Sequence, residues 1–310
     1  MKMTLSIPFM NQLQNAKGAI GSLRYTTSDE TEWMVIDNNS TDPVEEFVRK
    51  YLKPKRLNYL RNNENLGMLK TLQQAYENCE TEILALTHND VFIYEKDWDQ
   101  RVISYFKKMP DLGAVGFFGS QGCGPTGERI QDVPASNVMA GMGNMLEAEI
   151  HGFRLGQPWR SCAIFDGFMM IFRMEMLKKA GGFDQRYHYH HIYDRDISLE
   201  SLRHGYKNIV VNVPCHHLCG LTANQSEYQD WIDNRLKNDG VNAKVGEDRE
   251  GDIHHPTMKS ADLWTHDENS LIFKRKWEKV LPLYVNDDFS FREGQQGQWG
   301  FKGDVIRREK

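Results

Sequence analysis

The sequence predicts an α/β fold, a sheet flanked by helices, on two observations. Strand-like apolar runs and helix-like amphipathic stretches alternate from residue 3 to about 117. Three of the strand-like runs also end in polar clusters: Ile7-Pro8-Phe9-Met10-Asn11, Val35 to Asp42, and Leu86-Thr87-His88-Asn89-Asp90-Val91. Polar strand ends at regular intervals describe one rim of a parallel sheet, where open α/β sheets bind ligands.

The elements follow in order. Residues 3–9 read as a buried strand and 12–26 as a helix, with Leu13, Ala16, Ile20 and Leu23 on one face. Trp33 to Ile36 reads as a strand, and Pro43 to Tyr51 as a helix with Asp42 as N-cap and Pro43 in the first position. Arg56 to Leu60 is a third strand, Leu66 to Asn78 a helix, and Glu82 to Thr87 a fourth strand. A helix over Asp97 to Lys108 and a strand over Ala114 to Phe117 continue the alternation, which predicts parallel pairing through right-handed crossovers. Gly119 to Ser136 turns to Gly, Pro and polar residues and predicts a long loop on the same rim. Ala163 to Phe172 reads as one apolar strand, Glu175 to Lys179 as a helix stopped by Gly181-Gly182, Asp196 to His204 as a helix and Asn208 to Val213 as a strand. Residues 222–262 are polar and predict an extended, partly ordered segment, followed by a helix from Asn269 to Lys279 and a mobile tail from Gly294.

The 310 residues, 40% of them hydrophobic, are enough to bury a core without partners. A formal net charge of -5 with scattered basic residues disfavours nucleic acid as a partner. No run approaches the roughly 18 apolar residues of a membrane span, and Met1-Lys2-Met3-Thr4 leads straight into a strand with no secretory h-region. The expectation is a cytoplasmic protein, with a peripheral membrane position left open. Cys79, Cys123, Cys162, Cys215 and Cys219 are irregularly spaced and predict thiols rather than a disulfide framework.

Read as residues, the polar strand ends allow two chemistries each. Asp37 either accepts hydrogen bonds from a nucleobase or ribose or serves as a turn residue. Asn65 either caps a helix beside a ligand that Gly67 lets approach, or simply starts that helix. Asp90 either holds Mg²⁺ or Mn²⁺ against a diphosphate or caps a turn. Cys215-His216-His217-Leu218-Cys219 suggests zinc but lacks a second paired knuckle. His188, His190, His191, His254 and His255 fit no compact ligand set by spacing, which predicts solvated or acceptor-pocket roles. Phe183, Tyr187, Tyr189 and Tyr193 either face a sugar or pack in the core.

Together these segments resemble the family 2 glycosyltransferases of the GT-A fold. Pro8 and Asn11 match that family's first turn, and Ile36-Asp37-Asn38-Asn39-Ser40-Thr41-Asp42 matches its second-strand motif. Asn65-Leu66-Gly67 matches the helix start before the metal motif, and His88-Asn89-Asp90-Val91 the metal motif itself, with His88 in place of the usual first residue. Phe165 to Met170, Gly181-Gly182-Phe183-Asp184 and Ile192 to Leu199 resemble the acceptor half, with Tyr193 where Glu is usual. The loop starting at His217 and the segment Phe273-Lys274-Arg275-Lys276-Trp277 resemble later family features, and no Gln-x-x-Arg-Trp motif of processive synthases is present.

The resemblance implies a Rossmann-like mixed sheet over residues 1–222, with a nucleotide-sugar half to about 118, an acceptor half to 222 and a C-terminal extension over 223–310. It implies inverting, non-processive transfer of a sugar from a UDP, dTDP or GDP donor to a hydroxyl of a glycan, lipid-linked or other acceptor. Pro8, Asn11, Asp37, Asn39, Asn65, Gly67 and Asn89 would bind the donor, Asp90 and His217 the Mn²⁺ or Mg²⁺, and Asp194 would be the base, with Asp196 capping its helix. The form of the metal motif points toward a rhamnosyltransferase-like branch. Two other readings share the sheet: a donor- or glycan-binding protein without turnover, and a nucleotidyltransferase, which calls for a glycine-rich basic loop that Pro8-Phe9-Met10-Asn11-Gln12 does not supply.

Overall fold

The computed structural model describes residues 1–52, 57–130, 149–151, 155, 157–218, 225–241 and 260–292. Its first half follows the alternation: β1 (Met3–Phe9), α1 (Leu13–Thr26), β2 (Glu32–Asp37), α2 (Val44–Tyr51), β3 (Leu57–Arg61), α3 (Met68–Glu77) and β4 (Ile83–Thr87). The short β5 (Val91–Ile93) then leads to α4 (Trp98–Lys108) and β6 (Leu112–Gly116). One expected cap moves. Asp42 does not cap α2; its Oδ2 accepts the Leu13 N–H at 2.9 Å, so it caps α1 across the rim.

The second half departs more. The expected loop after residue 118 begins with two short strands, β7 (Gly119–Ser120) and β8 (Gly122–Cys123), and its last part, from residue 131, lies outside the described residues. After β9 (Glu149–His151) and β10 (Trp159–Ser161), the single strand expected over 163–172 is two, β11 (Ile164–Phe165) and β12 (Met169–Arg173), broken by a turn at Asp166-Gly167. The polar Asp and the Gly interrupt an otherwise apolar run, which is what such a break requires. Then come α5 (Met174–Ala180), α6 (Tyr193–Arg203), β13 (Lys207–Val211) and β14 (Cys215–His217). Gly181 ends α5 with φ 79°, and the Gly182 N–H reaches back to the Leu177 carbonyl at 2.9 Å, the left-handed stop that Gly-Gly predicts.

Residues 222–262 are less irregular than expected, because α7 (Ser226–Asn238) lies within them and buries Tyr228, Ile232 and Leu236. The last helix, α8 (Ser260–Trp277), starts earlier than Asn269, and β15 (Leu283–Tyr284) follows. His254, His255, Cys219 and the tail from Gly294 lie outside the described residues. Cys79, Cys123 and Cys162 are free thiols, and Cys215 is buried in β14. No described helix is long and apolar enough to cross a membrane.

The main sheet has eight strands in the order β10-β13-β6-β12-β4-β1-β2-β3. Pairing is parallel for β1 with β2 and β4, β2 with β3, and β13 with β6. It is antiparallel where β12 inserts between β4 and β6, and where β10 joins β13. The sheet is thus mixed, whereas alternation alone predicted a parallel one. The reversal positions the site: with Met169 paired to Thr87, the start of β12 lies on the rim where β4 ends. Two apolar layers cover the faces, one carrying Leu13, Ile20, Phe47, Trp98 and Phe106, the other Leu69, Leu72, Leu177, Ile197 and Phe273.

The end of α8 ties the C-terminal extension to the core. Lys276 Nζ lies 3.0 Å from Asp184 Oδ2 and 2.8 Å from both Asp196 and Glu200, and Trp277 Nε1 donates to Asp196 Oδ1 at 2.8 Å. Tyr187 donates to the same oxygen at 2.9 Å. Asp196 is therefore an anchor inside α6, not its cap. Replacing Lys276 with Met would leave Asp196 buried without its cation, while Asp184 and Glu200 keep Arg186 and Arg203, and such breakage of a buried pair costs about 3–5 kcal/mol. Urea unfolding of Lys276→Met is expected to show a loss of that size.

Candidate active site

The turns after β1 and β2 and before α3 are fastened to one another. Asn11 and Gln12 take left-handed backbone (φ 55° and 63°), and Asn11 Oδ1 accepts from the Thr41 N–H at 2.7 Å. Asn38 is the hub: its Oδ1 accepts from Leu66 N at 2.9 Å and Asn62 Nδ2 at 3.0 Å, and its Nδ2 donates to Asn65 Oδ1. Asn65 Oδ1 also accepts the Gly67 N–H at 2.9 Å. Pro8 lies within β1, opposite Ile36, and Asn39 is exposed with φ 65°. Gly67, at φ 77°, is approached by protein: a Cβ there would sit 3.2 Å from the Trp231 ring and 3.3 Å from Tyr189 Cα.

Asp37 is fully buried at the end of β2. Oδ1 accepts the Ser40 N–H at 2.7 Å, while Oδ2 accepts from Tyr59 Oη at 2.7 Å and pairs with Arg61. Both the turn role and the charge role are thus occupied, and Arg61, with its side chain half-exposed, adds a cation at this rim that the strand-end pattern did not single out.

Two strand pairings assemble the next group. β14 runs antiparallel to β5 with His217 opposite Val91, and Leu218 N–H donates to the Asp90 carbonyl at 3.2 Å. The turn just before β12 supplies Phe168, whose carbonyl accepts the His88 N–H at 3.0 Å and whose ring stacks on His217 with centroids 4.8 Å apart. His88 Nδ1 lies 3.3 Å from His217 Nε2, which lies 3.3 Å from Asp90 Oδ1. One ligand atom from each of the three falls within 4.8 Å of the others. Burial, and then His217, pushes the His88 imidazolium down to about 4, so the ring is neutral at physiological pH. Burial pushes the Asp90 carboxyl up, but His217, His88 and a backbone hydrogen bond together hold it below the ordinary aspartate value, so Asp90 is an anion at neutral pH. A carboxylate and a neutral imidazole such as His88 are ligand forms that a divalent cation needs. His88 Nε2 and Asp90 Oδ1 are buried without a hydrogen bond, a further fit to a cation. Asn89 lies between them, half-buried.

The Asp166-Gly167 break faces this group. Asp166 pairs with Arg129, whose guanidinium lies over the Phe118 ring at 4.6 Å, and its Oδ1 accepts the Phe168 N–H at 3.2 Å. Asp194, in the first turn of α6, accepts the Gly167 N–H on Oδ2 at 3.0 Å and its neighbour's Arg195 N–H on Oδ1 at 2.9 Å. Gly167 is needed here, because a Cβ would meet Tyr193 Oη at 2.7 Å. Burial and Asp166 raise the Asp194 carboxyl above the ordinary aspartate range, against Arg195 and Arg129. The charge of Asp166 also acts on His88, so it links the two groups. Sequence reasoning missed Asp166; its signal was a lone Asp-Gly inside an apolar run. Of the aromatic set, Phe183, Tyr187 and Tyr193 are core, and Tyr189 sets its ring against Trp231 at 5.1 Å.

The mixed eight-stranded sheet flanked by helices is the GT-A architecture of glycosyltransferases. The glycosyl transferase family 2 model matches residues 4–181, and the chain belongs to that family. Among solved structures it is similar to Staphylococcus aureus TarS residues 1–349, at TM-score 0.52 and 12% identity over 95% of this chain and 98% of that one. It is also similar to GalNAc-T7 with UDP, GalNAc and Mn²⁺, at TM-score 0.54 and 12% identity over 90% of this chain and 56% of that one. At these identities the likeness is one of fold. No curated protein sequence matches the chain.

Proposed function

We propose that this glycosyltransferase moves a sugar from a nucleoside diphosphate to an acceptor hydroxyl with inversion, assisted by a divalent cation, one transfer at a time. The observation that carries the reading is the buried His88-Asp90-His217 group on the same rim as Asp194, with Asp166 between them in its electrostatic reach. His88, Asp90 and His217 would hold the cation, which when bound supplies positive charge against the departing diphosphate. Two imidazoles beside one carboxylate favour Mn²⁺ over Mg²⁺.

The chain's own residues do the rest. Asp37, Arg61 and the Asn38-centred turns shape the nucleoside end, with Pro8, Asn11, Asn39, Asn65, Gly67 and Asn89 along it. Asp194 takes the proton of the acceptor hydroxyl as its oxygen attacks the anomeric carbon opposite the leaving diphosphate. Its raised carboxyl makes it a stronger base once ionised, and its bonds from Gly167 and Arg195 N–H groups fix its aim. Arg129 balances the second carboxylate, Asp166.

Structures of TarS hold UDP and UDP-GlcNAc, which makes uridine donors the first to try. The test is a thermal-shift panel of UDP-, dTDP- and GDP-sugars with and without Mn²⁺, repeated on Asp90→Ala. One donor class should stabilise the wild type only with Mn²⁺, and the variant not at all. A panel with no metal-dependent shift sinks the reading, and a shift with neither transfer nor donor hydrolysis leaves a binding protein. The proposed setting is the cytoplasm, with a glycan or lipid-linked acceptor.

A further inference from the structure

A second histidine-carboxylate group lies on the other side of the acceptor segment, between the loop before α6 and the C-terminal helices. His190 Nε2 is 2.9 Å and His191 Nε2 3.1 Å from the same oxygen, Oδ1 of Asp262. Consecutive residues in extended backbone point their side chains apart. Here Tyr189, His191 and Ile192 all take positive φ (38°, 70° and 66°), and the two imidazoles converge with centroids 3.7 Å apart. Three non-glycine residues in this region within four positions is a strained arrangement that the surroundings must hold in place.

The surroundings do so. Asn269 of α8 donates from Nδ2 to the His188 and His190 carbonyls at 2.9 and 2.7 Å and accepts the His188 N–H at 2.7 Å. His190 Nδ1 lies 2.9 Å from Tyr228 Oη, and Gln229 Nε2 donates to the other carboxylate oxygen, Asp262 Oδ2, at 3.0 Å. Asp262 is fully buried, and among the described residues its charged neighbours are these two histidines, with no lysine or arginine ion pair. His190 Nε2 is itself buried and, although close to Asp262, is not aligned to form a hydrogen bond.

We propose that His190, His191 and Asp262 bind a Zn²⁺ ion that fastens α7 and α8 to the loop entering α6. Two imidazole nitrogens and one carboxylate oxygen are a zinc donor set, and one ligand atom from each lies within 4.8 Å of the others. Tyr228 and Gln229 hold the outer atoms of two ligands, the supporting shell that fixes ring orientation and carboxylate aim at metal sites. The site is separate from His88-Asp90-His217 in residues and in the elements that carry it. Its role is structural: α7 also brings Trp231 against Gly67 and Tyr189, so the ion would brace the wall between donor turns and acceptor loop.

The test uses the full chain, loaded with Zn²⁺, dialysed and assayed for metal by mass spectrometry. The double variant Asp90→Asn/His217→Gln is expected to retain about one equivalent, and a second variant that adds Asp262→Asn/His191→Gln to those two changes to lose it. Chelation should lower Tm in the first variant and leave the second unmoved. Zinc retained by the second variant, or absent from a folded wild type, overturns the proposal. Because the second variant removes buried groups and can fail to fold, wild-type crystals soaked in Zn²⁺ give an independent answer. An anomalous peak between His190, His191 and Asp262 supports the site, whereas a peak only at His88-Asp90-His217, or none, overturns it.

Discussion

Asp194→Asn is expected to lower kcat for transfer by roughly 10²–10⁴-fold, the range general-base catalysis supplies, and to leave the donor Kd unchanged. Gly167 N–H goes to one carboxylate oxygen and Arg195 N–H to the other, so the amide oxygen keeps only one of the two bonds while the proton acceptor is lost, and a thermal melt of the variant accompanies the assay. A pH signature accompanies the loss. The wild-type carboxyl titrates above the ordinary aspartate range. The active anion is therefore present above that raised value and disappears as pH falls through it, which moves the acidic limb of the rate profile upward. That limb should vanish in Asp194→Asn. Full transfer by the variant would move the role to another carboxylate, with Asp166 first, because Asp196 is committed to Lys276, Trp277 and Tyr187.

Asp90→Asn is expected to abolish the Mn²⁺ dependence of donor binding and to reduce transfer by about 10³-fold, corresponding to about 4 kcal/mol of lost charge stabilisation. Asparagine preserves size and removes the anion between His88 and His217. Titration of Mn²⁺ into the variant, followed by donor affinity, checks the result. An unchanged metal response would place the cation elsewhere, and the paired substitution His88→Gln then shows whether the histidines act without Asp90.

Much of the donor rim is legible in the chain because strand-end polarity is local. Asp37 closes an apolar run directly and Asp90 follows one after three polar residues, and the parallel pairing of β1 with β2 and β4 sets those strand ends on one edge. What escapes the sequence depends on distant pairing. β12 runs against β4 because it slots between strands formed far earlier, and nothing within 163–172 states its direction. Asp166 reaches the site only through that reversal. His88, an oddity in its motif, becomes intelligible once β14 brings His217 beside it. The His190-His191 pair was hidden for another reason, since its convergence needs left-handed backbone that β-branched Ile192 and aromatic Tyr189 do not advertise. Asn38, read as a turn residue beside Asp37, shows its importance only through partners 24 to 28 positions away.

The grip of Lys276 on Asp184, Asp196 and Glu200 has a consequence for biosynthesis. Those acids leave the ribosome some 76 to 92 residues before their counter-charge. Domains fold from the N-terminus as they are made. Asp184 and Glu200 have Arg186 and Arg203 beside them from the start, so it is Asp196, in the helix that bears Asp194, that waits on the nascent chain for its cation. Burial of Asp196 in its final ion pair is in this sense a late event in synthesis, and an early stop codon upstream of Lys276 would yield a chain with its donor strands complete and that pair unmade.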